Sequence, residues 1–143
     1  MVEPIEPPRK VLVIEDYPDD VKLIERVIRR LPIPVDFQWV DNGPDAVRLS
    51  ERSEPLEEYF DLVLLDSRLR GESGFEVLKA LRRADPMGRV PIVLLVGAMG
   101  DDFSDVALGH GADACVVKPL APDQFMEKVR RILDTWLEIT PLA

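Results

Sequence analysis

The sequence predicts an α/β fold, a doubly wound (βα)₅ three-layer sandwich built around a parallel five-stranded sheet. Two observations carry that expectation. Short apolar runs rich in β-branched residues recur along the chain, and helical stripes with 3–4 spacing fill the intervals between them. Strands that alternate with helices imply parallel pairing, right-handed crossovers and helices on both faces.

Residues 1–9, "MVEPIEPPR", read as a flexible arm, because closely spaced prolines oppose both helix and ladder. Residues 10–143 then read as one domain. "KVLVIED" (10–16) is a strand covered on both faces. "YPDDVKLIERVIRRL" follows as a helix, with Pro18 in its first turn, Asp19 and Asp20 on its N-terminal dipole, and Arg29 and Arg30 near its end. Val21, Ile24, Ile28 and Leu31 form its buried stripe. "VDFQWV" (35–40) alternates in polarity, as suits a strand nearer the sheet edge. "GPDAVRLSER" is a short helix, and residues 53–60 a polar connection.

"DLVLLD" (61–66) is the most apolar strand, yet it ends on a carboxylate. Ser73 and Glu76 predict a capping box that opens a helix reaching about Arg83. "DPMGRV" is a turn and "PIVLLV" (91–96) the fourth strand. A helix is expected near 102–109, closed by Gly109 or Gly111, and "ACVVK" (114–118) is the fifth strand. "APDQFMEKVRRILDTWLEI" is the last helix: Phe125, Val129, Ile132 and Trp136 form its stripe, and Pro141 is expected to stop it.

Composition narrows the function classes. The chain has 143 residues and a net charge of -9, which argues against a nucleic-acid partner, since phosphate backbones need a basic footprint. A single cysteine, Cys115, rules out an internal disulfide and suits a reducing cytosol. No run is long and apolar enough to span a membrane. With His110 as its only histidine, the chain has little material for His-based catalysis.

In doubly wound sheets, ligands bind beyond the carboxyl ends of the strands. Strand one runs into Glu15 and Asp16, strand three into Asp66 and strand five into Lys118. All four side chains should gather at one rim. Three carboxylates there repel one another, and a hard dication such as Mg²⁺ relieves the repulsion with oxygen ligands. The three acids, Mg²⁺ and Lys118 together are neutral, so an incoming phosphoryl group meets a place prepared for it. Asp66 can then attack phosphorus in line, provided "SRLRGESG" leaves room for a donor.

The chain resembles the receiver domains of two-component response regulators, the CheY-like family, over roughly residues 10–137. The resemblance rests on "VIED", on "DLVLLD" with its terminal Asp66, on Gly74 eight residues later, and on "GADACVVKP". It implies the strand order 2-1-3-4-5. It also implies that Glu15, Asp16, Asp66 and the backbone carbonyl of Arg68 hold Mg²⁺. Asp66 would accept a phosphoryl group from a sensor histidine kinase, Lys118 would contact it, and the peptide before Pro119 would be cis. Such a protein is no enzyme in the ordinary sense, although it assists its own phosphotransfer and dephosphorylation. "IEDYPDDVKLIERVI" and "VLKALRRADPMGRVPIVLL" are similar to stand-alone receivers that serve phytochrome-type kinases. The chain ends about where a receiver does, so no output domain is expected and signalling would pass to another protein.

Three positions depart from the family pattern. Val96 stands where a Ser or Thr usually donates to the phosphoryl group, Cys115 where a switch aromatic is usual, and Arg70 where proline is common. Valine copies threonine's shape without its hydroxyl, so the usual relay should be lost. Phosphorylation would then signal through association or loop ordering. A second reading follows, a pseudo-receiver that binds partners without phosphate. A Mg²⁺ phosphohydrolase is a third, weakened by the lack of a spaced acid pair on one strand.

Blander roles are also open. Glu15 and Asp16 can serve a helix dipole, Ser73 a cap and His110 a helix end. Cys115 reads as a small core residue, and Trp39 and Trp136 as packing. Trp136 and Leu137 would reach a second copy, in a homodimer, if the last helix is extended and protrudes.

Overall fold

The computed structural model describes residues 7–51, 59–84, 90–97, 108–109 and 111–139. The first strand, β1 (Arg9–Ile14), is followed by α1 (Pro18–Arg29), β2 (Val35–Val40), α2 (Gly43–Ser50) and β3 (Leu62–Asp66). Two short strands, β4 (Arg68–Leu69) and β5 (Glu72–Ser73), lead into α3 (Gly74–Ala84). Next come β6 (Ile92–Gly97), β7 (Ala114–Lys118) and α4 (Pro122–Trp136).

The main sheet has the order β2-β1-β3-β6-β7, with every pairing parallel. Without the two short strands, this is the order 2-1-3-4-5 that the resemblance implies. The outcome follows from burial on both faces. Leu12 and Ile14 point into one core with Val77, Leu78 and Leu81 of α3. Their neighbours Val11 and Val13 point into the other, with Ile24 and Ile28 of α1 and Phe125, Val129 and Ile132 of α4. A strand apolar at every position is what two covered faces demand. β2 alternates because it is an edge, and Trp39 on it is 42% exposed.

Several local expectations need correction. Arg9 belongs to β1 and not to an arm: its N–H donates to the Pro34 carbonyl and its guanidinium to the Leu137 carbonyl at 2.7 Å. "SRLRGESG" is not merely an open loop. Arg68 pairs with Ser73 and Leu69 with Glu72 in a two-rung antiparallel hairpin, turned at Gly71 with φ +76, a conformation open to glycine because it lacks a Cβ. The capping box at Ser73 is incomplete. Its Oγ accepts from Phe75 N–H at 3.2 Å, and Glu76 turns outward to Lys79, because Ser73 is occupied in the hairpin.

The last helix ends before Pro141 is reached. Glu138 takes a left-handed φ of 53, the Ile139 N–H reaches the Asp134 carbonyl and the Glu138 N–H that of Thr135. That is a Schellman stop, so α4 does not extend beyond Trp136. The 118–119 peptide is trans, the form that X–Pro bonds favour. His110, the turn at 85–89, most of the connection at 53–60 and all but Leu108 and Gly109 of the helix expected near 102–109 lie outside the described residues.

Candidate functional site

β1 and β3 are neighbours in register, with Ile14 opposite Leu65. Glu15 and Asp16 therefore leave β1 beside the end of β3, where Asp66 stands. The carboxylates of Glu15, Asp16 and Asp66 offer oxygens that all lie within 4.8 Å of one another. β7 supplies the cation: Lys118 Nζ donates to Glu15 Oε1 at 2.9 Å and lies 3.4 Å from Asp66 Oδ1. The four residues singled out from the sequence thus converge. Val96 sits just behind them, buried in β6 one residue before Gly97, whose partner in register is Lys118. Cys115 lies lower on β7 opposite Leu94, packed against the α2–α3 core, in keeping with a core role.

One contact was not legible in the sequence. Asp20, expected only to complement a helix dipole, accepts a hydrogen bond from Lys118 Nζ at 3.0 Å. No spacing rule links residues 98 positions apart; only the packing of α1 against α4, over a core that β7 shares, does. Trp39 is another departure, because it does more than pack. Its indole N–H donates to the Glu15 carbonyl at 2.6 Å, and the Glu15 N–H donates to Val40. Edge strand β2 thereby pins the backbone of the acidic pair.

The loop after Asp66 is held as closely. Ser67 N–H bonds the Leu95 carbonyl, Gly74 N–H bonds the Ser67 carbonyl, and Arg68 N–H donates to Asp66 Oδ1 at 3.4 Å. Glu72 reaches from the hairpin to cap the first N–H of α2 at Gly43. Beside the hairpin, Ser67, Arg68, Leu69, Glu72, Ser73 and Phe75 line an open cleft of about 560 Å³.

The electrostatics are those of a crowded acid site. Burial, and then the nearby Asp66 carboxylate, push the Glu15 carboxyl up to about 9, against which the attraction of Lys118 is the smaller influence. Burial alone would lower Lys118, but the charges of Glu15 and Asp66 outweigh it and hold the ammonium above its usual range. Lys118 therefore stays charged. Among the described residues, Glu15 Oε2 is buried without a hydrogen-bond partner. An orphaned carboxylate oxygen, two further carboxylates within reach and an all-oxygen donor set suit a hard dication such as Mg²⁺.

With this geometry, residues 11–130 match the response regulator receiver domain family. The chain belongs to that family of two-component signalling proteins. It is 31% identical over 138 residues to the probable methanogenesis regulatory protein FilR2 of Methanothrix harundinacea, covering 92% of this chain and 86% of that one. It spans only about half of several other relatives, including 56% of a Haemophilus influenzae nitrate/nitrite response regulator homolog at 29% identity over 86% of this chain. Among solved structures, the phosphorylated cyanobacterial phytochrome response regulator RcpA superposes with a TM-score of 0.80 at 24% identity, covering 95% of this chain and 99% of that one. Among described residues, no helix is long and apolar enough to cross a membrane.

Proposed function

We propose that Asp66 is the phosphoacceptor of this receiver, with Glu15, Asp16, Asp66 and the Arg68 carbonyl holding Mg²⁺ and Lys118 contacting the phosphoryl group. The convergence of three carboxylates, two of them paired with the Lys118 ammonium, with a buried Glu15 oxygen left over, is the observation that carries it. A carboxylate oxygen of Asp66 forms a bond to phosphorus as the bond to the donor breaks, and the leaving group departs with its electron pair. Bound Mg²⁺ would offset charge on the phosphoryl oxygens.

The donor in this proposal is the phosphohistidine of a sensor kinase, of the phytochrome-associated type on the strength of "IEDYPDDVKLIERVI". The readout is binding to another protein or to a second copy, in the cytoplasm. Incubation with Mg²⁺ and acetyl phosphate, followed by mass spectrometry, should add one phosphoryl mass to wild type and none to Asp66→Asn. Equal labelling of both would sink the assignment.

A pseudo-receiver that signals without phosphate is the second reading, favoured by Val96, which is buried and has no hydroxyl to offer. Wild type that neither labels nor changes its spectra with beryllofluoride would favour it.

A further inference from the structure

Lys118 is shared unequally. Its ammonium donates to Glu15 Oε1 at 2.9 Å and to Asp20 Oδ2 at 3.0 Å, whereas Asp66 lies at 3.4 Å, in ion-pair range but beyond the two hydrogen bonds. Asp20 is well placed to hold it. It lies in the first turn of α1, where its own N–H bonds the Tyr17 carbonyl, and its side chain is only 22% exposed. Helix α1 is in turn anchored by Val21, Ile24 and Ile28 in the core. A carboxylate on so rigid an element sets where its partner sits. Lys118 is confined from the other side by the Phe125 ring, whose centroid is 5.9 Å from Nζ.

We infer that Asp20 is a positioning residue that holds Lys118 back from Asp66 in the unphosphorylated protein, leaving Asp66 oxygens available to a dication and to phosphorus. This deepens the proposed function and rests on it. Without Asp20, the ammonium keeps only Glu15 and Asp66 as acidic partners among the described residues, and it moves onto the oxygen that a dication needs. With Asp20, the ammonium waits beside the site until the phosphoryl oxygens arrive as stronger partners.

The test compares Asp20→Asn with Asp19→Asn, which removes the same charge from the same turn at a residue that makes no ion pair with Lys118. In metal-free crystals, Asp20→Asn should bring Lys118 Nζ into hydrogen-bond range of Asp66, and Asp19→Asn should leave it in place. In acetyl phosphate labelling, Asp20→Asn should raise the Mg²⁺ concentration for half-maximal rate by about fivefold, the worth of one partly exposed ion pair. The rate at saturating Mg²⁺ should hardly change, and acetate remains the leaving group. An unmoved Lys118, or equal Mg²⁺ dependence in the two variants, overturns the inference. If wild type itself takes no label, the phosphoacceptor reading fails, while the position of Lys118 in the metal-free crystals still decides the role of Asp20.

Discussion

A Cβ placed on Gly74 would lie 2.2 Å from the backbone carbonyl oxygen of Asp66 and 2.7 Å from Ser67 Cα. No real structure tolerates that approach, and both contacts are backbone. The glycine eight residues after the acid is therefore a steric requirement of the loop that presents it. Gly74→Ala should displace the 66–67 backbone and cost about 1–3 kcal/mol, as overpacking does in tight cores. Denaturant melts measure the loss. Mg²⁺ titration of the folded variant should show weaker binding, and unchanged affinity would mean that the loop absorbs the methyl elsewhere.

Bound Mg²⁺ should stabilise the fold by mass action. At a hundredfold excess over its dissociation constant the gain is about 2.7 kcal/mol, which raises Tm by several degrees for a chain of this size. Asp66→Asn and Asp16→Asn should each be more stable than wild type in metal-free protein, because each relieves repulsion among acids that lie within reach of one another. Thermal melts with chelator and with Mg²⁺ should therefore show each variant starting higher and rising less than wild type.

Much of this was legible because it depends on strand direction and strand ends. Once β1, β3 and β7 run parallel in one sheet, Glu15, Asp16, Asp66 and Lys118 must share a rim. Side-chain contacts made by docked elements were not legible. The Asp20–Lys118 bond depends on where α1 settles, and the Trp39–Glu15 bond on the twist that brings an edge indole over the first loop. The hairpin at 68–73 was missed for a different reason. Its two-residue strands are too short to show any periodicity, and Gly71 alone marks the turn. Ser73 misled in the same place, since capping and pairing compete for one residue.

Glu15 gives the metal-free protein a definite pH response. Its carboxyl is held up to about 9 against an ordinary 4.5, so between those values the folded state binds a proton that the unfolded chain has released. Stability from this group is complete at low pH and is lost as pH rises through about 9. With chelator present, Tm should fall from about pH 6 to about pH 9, and Glu15→Gln should flatten the decline. Lys118 adds no slope there, because its upward shift acts only above its ordinary 10.5. A Glu15→Gln curve parallel to wild type would show that other groups set the slope.

Arg82 tests stability apart from the acidic rim. From α3 its guanidinium donates to the Gly111 carbonyl at 2.8 Å, to the Val90 carbonyl at 2.9 Å and to Asp113 Oδ2 at 2.7 Å. Asp113 Oδ2 also accepts from Ile92 N–H, so one side chain ties α3 to the starts of β6 and β7. Arg82→Ala strips partners from two carbonyls and should cost about 2 kcal/mol. Arg82→Lys should recover little, since a single ammonium cannot reproduce the fork. Because these bonds lie at the opposite ends of the strands from Asp66, the Mg²⁺-induced rise in Tm should survive in both variants. If that rise disappeared along with the stability, the two ends of the sheet would be coupled through α3, and the loop from Ser67 to Gly74 would be the place to look for the connection.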